Sequence, residues 1–263
     1  MRALFPLFLC LGVVACDGDT DTDTDVDTTD DVDTGTETDE PTSFLGGRVR
    51  DEDGQGLGGV RVNMCRQVCY TAETDETGAY AFESLASQLR YSLHVETVGD
   101  LVAVDGSVPF TLPGMDNAPV QLDLVVPSGT PIALPSERTE IEPAADLLLT
   151  VGAGDLTILF EEDPVQISAA RVAIEDWMPI DLEGTVEAVW YLDPWSAEAD
   201  PAVDLRIRDT FGASGDTYTL YQANYDDAEW DTLGTLTSDG THLTGDFALD
   251  RLDTLVLISA ASR

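Results

Sequence analysis

The chain has 263 residues, 43% of them hydrophobic, and carries 51 acidic residues against 12 basic ones, a formal charge of −39. All the basic residues are arginine, and there is no lysine. So acidic a chain cannot bind nucleic acid by neutralising phosphates, and an anionic lipid surface repels it.

Met1-Arg2 forms a short positive n-region, and Ala3 to Val14 is an apolar run interrupted by Pro6 and Gly12. The run is too short for a permanent bilayer span and has the length of a signal-peptide core. It ends in Val13-Val14-Ala15-Cys16, which resembles a bacterial lipobox. Residues 1–15 are therefore expected to be a lipoprotein signal peptide, with Cys16 lipidated as the new N-terminus. Acyl chains contribute about 0.8 kcal/mol per buried methylene, so several of them make a lasting anchor. The expected address is the cell envelope, facing the periplasm or the cell exterior, with the outer membrane favoured over the inner.

Residues 16–42 continue as an Asp/Thr-rich stretch with Val26 and Val32 as its only sizeable apolar side chains. It cannot bury enough apolar surface to offset the entropy of ordering, so it reads as a disordered, self-repelling tether. As a coil it reaches roughly 30 Å, and stretched nearer 90 Å. The aspartates lack the turn glycine and terminal glutamate spacing of a calcium loop. Asp33-Thr34-Gly35 matches the aspartic-protease tripeptide, but in low-complexity sequence and without a second copy.

From Ser43 short alternating runs begin. Leu45 to Asp51 and Leu57 to Met64 read as strands around a Gly-rich turn, followed by Tyr70 to Glu73, Ala79 to Glu83, Leu89 to Thr97 and Val120 to Val126. Strands at this spacing predict an antiparallel β-sandwich over residues 43–127. Leu89, Tyr91, Leu93 and Val95 share one face of their strand, which leaves His94 half-exposed on the other. Cys65 and Cys69 bracket a hairpin-length loop that sets them opposite each other, within disulfide reach. Outside the cytoplasm such a pair oxidises. A zinc site needs two further ligands from His94 and His242 alone, so no metal is expected.

The order of these residues resembles the carboxypeptidase regulatory-like family, of transthyretin-like fold. The family's strand–turn pattern is held by Gly47, Val49, Asp51, Gly54, Gly59, Val60 and Val62. Its second block is held by Thr74, Asp75, Gly78, Tyr80 and Phe82. The resemblance covers residues 43–127 and implies a non-catalytic accessory module; the fold itself hosts many roles. Related modules lock themselves with a lysine–asparagine isopeptide bond, which a lysine-free chain cannot form.

Residues 128–263 hold about eight further strand-like runs separated by turn clusters such as Gly212-Ala213-Ser214-Gly215. A second β-sandwich or jelly-roll-like domain is expected there, making the chain all-β. Trp177, Trp190, Trp195 and Trp230 all lie in this half. In Trp190-Tyr191-Leu192-Asp193-Pro194-Trp195, alternation sends Trp190 and Leu192 inward and Tyr191 outward. Tyr191 and Trp195, at a strand end beside Asp193, are the candidate ligand-binding residues.

Two histidines leave little room for nucleophile–base chemistry. No Gly-x-Ser-x-Gly elbow, His-Glu-x-x-His helix or phosphate loop is present. The chain is thus read as non-enzymatic, without catalytic residues or cofactor. The leading function is a membrane-anchored binding or adhesion lipoprotein with a protein or glycan ligand. The alternatives are a structural spacer or envelope-assembly component, and a divergent hydrolase accessory.

Overall fold

Alternating runs become strands wherever one set of their side chains can be covered. A computed structural model describes residues 42–86, 89–96, 103–113, 120–158, 164–177 and 182–260. The signal peptide, Cys16 and the tether up to residue 41 lie outside them. Thr42, which composition assigns to the tether, opens the first strand. Among the described residues the chain is all-β, with one 3-10 turn at Ile174–Asp176 and no α-helix.

The first half contains β1 (Thr42–Arg50), β2 (Arg61–Cys65), β3 (Cys69–Glu73), β4 (Ala79–Ala86), β5 (Arg90–Glu96), β6 (Ser107–Thr111), β7 (Val120–Gln121) and β8 (Leu124–Val125). One sheet runs β4-β1-β7 with β8 also on β1, and the other runs β3-β2-β5-β6. Leu45, Val49, Val62, Met64, Tyr80, Phe82 and Leu93 meet between them as a core. The two sheets form the expected sandwich. Leu57 to Val60 is a loop and not part of β2: Leu57 N–H donates to Val49 O at 2.9 Å, and Thr74 fastens both its ends. The Thr74 hydroxyl donates to Leu57 O at 2.7 Å and accepts from Val60 N–H at 2.9 Å.

The family-like residues have local duties. The Asp75 carboxylate accepts from the Thr77 and Ala79 N–H groups at 2.8 and 3.0 Å and so ties the turn before β4. These bonds hold its carboxyl below the usual carboxylate range, the Thr77 hydroxyl contributing most. Gly78 takes φ +81°, the left-handed region that favours glycine. Gly47 lets two backbones touch, since a Cβ there would sit 1.8 Å from Leu122 O. Tyr80 donates its hydroxyl to that same carbonyl at 2.7 Å. Strand β6 is absent from the sequence reading because Pro109 interrupts its pattern; the proline is tolerated because β6 is an edge strand.

The second half contains β9 (Ile132–Ala133), β10 (Thr139–Ala144), β11 (Leu147–Val151), β12 (Leu156–Thr157), β13 (Gln166–Val172), β14 (Thr185–Asp193), β15 (Glu198–Arg208), β16 (Thr217–Asn224), β17 (Glu229–Ser238), β18 (His242–Thr244), β19 (Ala248–Arg251) and β20 (Leu255–Ser259). All belong to one sheet ordered β10-β11-β15-β18-β17-β16-β20-β14-β13-β9, with β12 and β19 also on β15. The sheet folds over on itself, so a single sheet supplies both layers of this second sandwich. Leu147, Leu149, Trp190, Leu192, Leu205 and Leu257 lie inside it. The Trp190 indole N–H crosses that interior to Ala145 O at 3.0 Å.

The remaining core is shared. Ala170, Val172, Val189, Tyr191, Val256 and Ile258, on the other face of β13, β14 and β20, pack into the same cluster as Val104, Val108, Leu124 and Val126. The β2-β5-β6 layer is therefore covered on both faces. One face meets β1 and β4, and the other meets the second half.

Candidate functional site

The seam between the halves follows from register. Partners across β2, β5 and β6 are Cys65–Ser92–Pro109 and Asn63–His94–Ser107, two polar rows on the face turned away from the first core. In an isolated sandwich these rows would meet water. Here Ser92, His94 and Ser107 are buried beneath the second half. His94 is only 6% exposed, which corrects its half-exposed reading. Its ring stacks on Trp195 with centroids 3.9 Å apart and planes 13° off parallel. Burial pushes the imidazole down to about 4, against a smaller opposing pull from Glu96, so it is neutral at physiological pH.

Trp195 also meets Tyr225 edge-on at 4.7 Å. The Tyr225 hydroxyl in turn hydrogen-bonds the sulfur of Cys65. Cys65 and Cys69 form the expected disulfide, directly opposed in the β2–β3 hairpin with Cα atoms 4.0 Å apart. Deeper in the seam the Ser107 hydroxyl donates to Asp253 at 2.7 Å, a buried bond between the halves. Thr254 N–H donates to the same carboxylate oxygen at 2.7 Å. Burial nonetheless dominates and pushes Asp253 up to about 7.

Tyr191 is not the outward-facing anchor that alternation alone suggests. It does point opposite to Trp190 and Leu192, but that face meets the first half, leaving it 6% exposed. A Cβ on Gly106 would lie 2.4 Å from its ring, so the glycine makes room for it. Burial raises its phenol well above the usual range. Tyr191 and Trp195 therefore do not form one exposed patch. The first is core, and the second packs its ring on His94. His242 opens β18 after a turn tied by Asp239, whose carboxylate accepts from the Thr241 and His242 N–H groups at 2.7 Å each. Among the described residues no group of three or more His, Cys, Asp or Glu is placed to hold a metal ion.

An open cleft lies farther along the seam. Arg90 of β5 and Phe110 of β6 form one wall, and Ala228, Glu229 and Trp230 at the start of β17 form the other, around about 120 Å³. Arg90 and Glu229 pair across it, each more than half exposed. Trp230 is fixed by its indole N–H, which donates to Pro109 O at 3.0 Å, and by an edge contact with Trp177 at 6.4 Å. Sequence reading passes over this cleft, because its two walls lie some 139 residues apart. The one local signal is a tryptophan next to an acid at a strand start.

No family model matches the chain, and no curated protein matches it either. Several solved structures share limited likeness. The full-length major pilin SpaD from Corynebacterium diphtheriae is 11% identical with a TM-score of 0.30, over 84% of this chain and 87% of that one. A DUF3823 family protein from Bacteroides ovatus is 11% identical with a TM-score of 0.25, over 84% and 83%. A Bacteroides uniformis protein titled "putative carbohydrate binding protein" is 10% identical with a TM-score of 0.26, over 83% and 80%. At these values no ligand, partner or assembly transfers to this chain.

Proposed function

We propose that this chain is a lipid-anchored, non-catalytic binding protein of the bacterial cell envelope, and that it engages a glycan at the cleft between its halves. The cleft itself carries the reading: the half-buried ring of Trp230 on one wall beside the accessible Arg90–Glu229 pair. Such a site offers an apolar face for the C–H surface of a sugar ring, with donors and acceptors converging on its hydroxyls. The two histidines support a non-enzymatic role, since one is walled in by aromatic rings and the other sits beside a turn. The first half is proposed to be a carboxypeptidase regulatory-like module, supported by the turn duties of Thr74, Asp75 and Gly78. Its anchor is Cys16 and its address the outward-facing envelope, with the outer membrane favoured.

A glycan array probed with the full chain tests this, followed by titration of the strongest glycan using tryptophan fluorescence. Arg90→Ala, at a well-exposed position, is expected to weaken binding at least tenfold with unchanged melting. Absence of any glycan signal, or equal binding by Arg90→Ala, overturns the reading. A rigid envelope spacer is the second reading. It is favoured by the shared core, which welds the halves into one body.

A further inference from the structure

A second groove crosses the seam at a different place. The turn after β1 supplies Glu52, β8 supplies Val125, and the segment after β8 supplies Pro127. The end of β13 supplies Arg171 and Val172, and the 3-10 turn supplies Ile174, Glu175 and Asp176. The space between them is about 370 Å³, within the range of ligand sites.

Its floor is apolar. Val125 and Val172 are buried beneath it, whereas Ile174 is 41% exposed, one of few large apolar side chains left in solvent among the described residues. The 3-10 turn that carries Ile174 buries none of its residues. Its Asp176 pairs with Arg50 of β1 at 2.5 Å across the seam. Burying an isoleucine is favourable, so an exposed one on a groove floor is ready for an apolar partner atom.

The rim is anionic. Arg171, which lines the groove itself, is occupied by Asp146 at 2.7 Å with Phe211 under it at 5.2 Å, and the neighbouring Arg50 is occupied by Asp176. Glu52 and Glu175 enter no ion pair among the described residues. The Glu52 carboxylate accepts only the Ser128 N–H, at 3.2 Å. These two carboxylates flank the apolar floor in a chain of charge −39 that has no lysine of its own. The matching ligand is a cation on an apolar stem, whose methylenes cover Ile174 while its head reaches the rim.

We propose that this groove binds a basic peptide segment of a partner protein, seating one arginine or lysine side chain between Glu52 and Glu175. The site exists only when the two halves are docked, and it is separate from the glycan cleft. A net charge of −39 attracts any polycation, so the test must separate a shaped site from diffuse attraction.

The probe is acetyl-Leu-Arg-Leu-amide, titrated calorimetrically into the full chain at physiological salt, against the same peptide with citrulline in place of arginine. The citrulline peptide is expected to bind at least fivefold more weakly. Glu52→Gln with Glu175→Gln should lose at least fivefold for the arginine peptide. Ile174→Ser, which leaves the charge unchanged, should also weaken binding at least threefold. Asp246→Asn with Asp250→Asn, exposed carboxylates outside the groove, should change it less than twofold. Equal losses from the two double variants, no loss with Ile174→Ser, equal binding of the citrulline peptide, or no arginine-peptide binding at all overturns the proposal. Melting curves of the variants should superimpose on the parent, since every substituted group is exposed.

Discussion

Replacing Asp253 by asparagine should stabilise the chain at pH 8 and do much less at pH 5. Asp253 is 1% exposed, and its carboxyl is pushed from 3.8 up to about 7. Between those values the folded chain keeps a proton that the unfolded chain has lost. Stability therefore falls as pH rises, by about 1.4 kcal/mol per pH unit until the folded group ionises. The full loss is about 4 kcal/mol above pH 7, of which roughly a third has already accrued at pH 5. Asparagine removes this penalty while its carbonyl can still accept from Ser107 and Thr254. Its amide needs an acceptor, which costs about 1–2 kcal/mol if none is found. The net gain at pH 8 is about 2–3 kcal/mol. For a body of this size that corresponds to a rise in melting temperature of roughly 5–10 °C. Thermal melts of parent and variant at both pH values measure it, and their difference cancels groups that titrate alike in each. An Asp253→Asn effect that is the same at pH 5 and pH 8 would falsify the buried-carboxyl account.

Cys16→Ala should release the protein from membranes and abolish incorporation of a clickable palmitate, as read by fractionation and gel fluorescence; a variant that keeps both label and membrane residence refutes the lipobox reading. Trp195→Ala should lower stability by about 2–3 kcal/mol, because its ring covers His94 and meets Tyr225. Glycan affinity should be unchanged, and a variant that melts normally but loses ligand would return Trp195 to the binding site.

Much of the first half is legible in sequence because its causes are local. A turn needs Asp75 and Gly78 within four positions, and a hairpin sets Cys65 against Cys69 over three intervening residues. Strand β6 escapes because a proline breaks its pattern, and only its edge position makes that proline tolerable.

For the site the division is sharper. Alternation along β14 separates Trp190 and Leu192 from Tyr191 correctly, since side-chain direction is a property of the strand alone. It does not say what each direction meets. Tyr191, His94, Ser92 and Ser107 all lie on faces that a lone sandwich would give to water, and each is buried because a second sheet lies over it. The cleft of Arg90 and Trp230, and the groove of Glu52 and Glu175, join residues from opposite halves of the chain. The sequence by itself determined two β-rich halves, their strand faces, the disulfide and the acidity. Only the tertiary structure decided which faces are sealed and where clefts open, because docking depends on the shape of whole sheets and not on any run of residues.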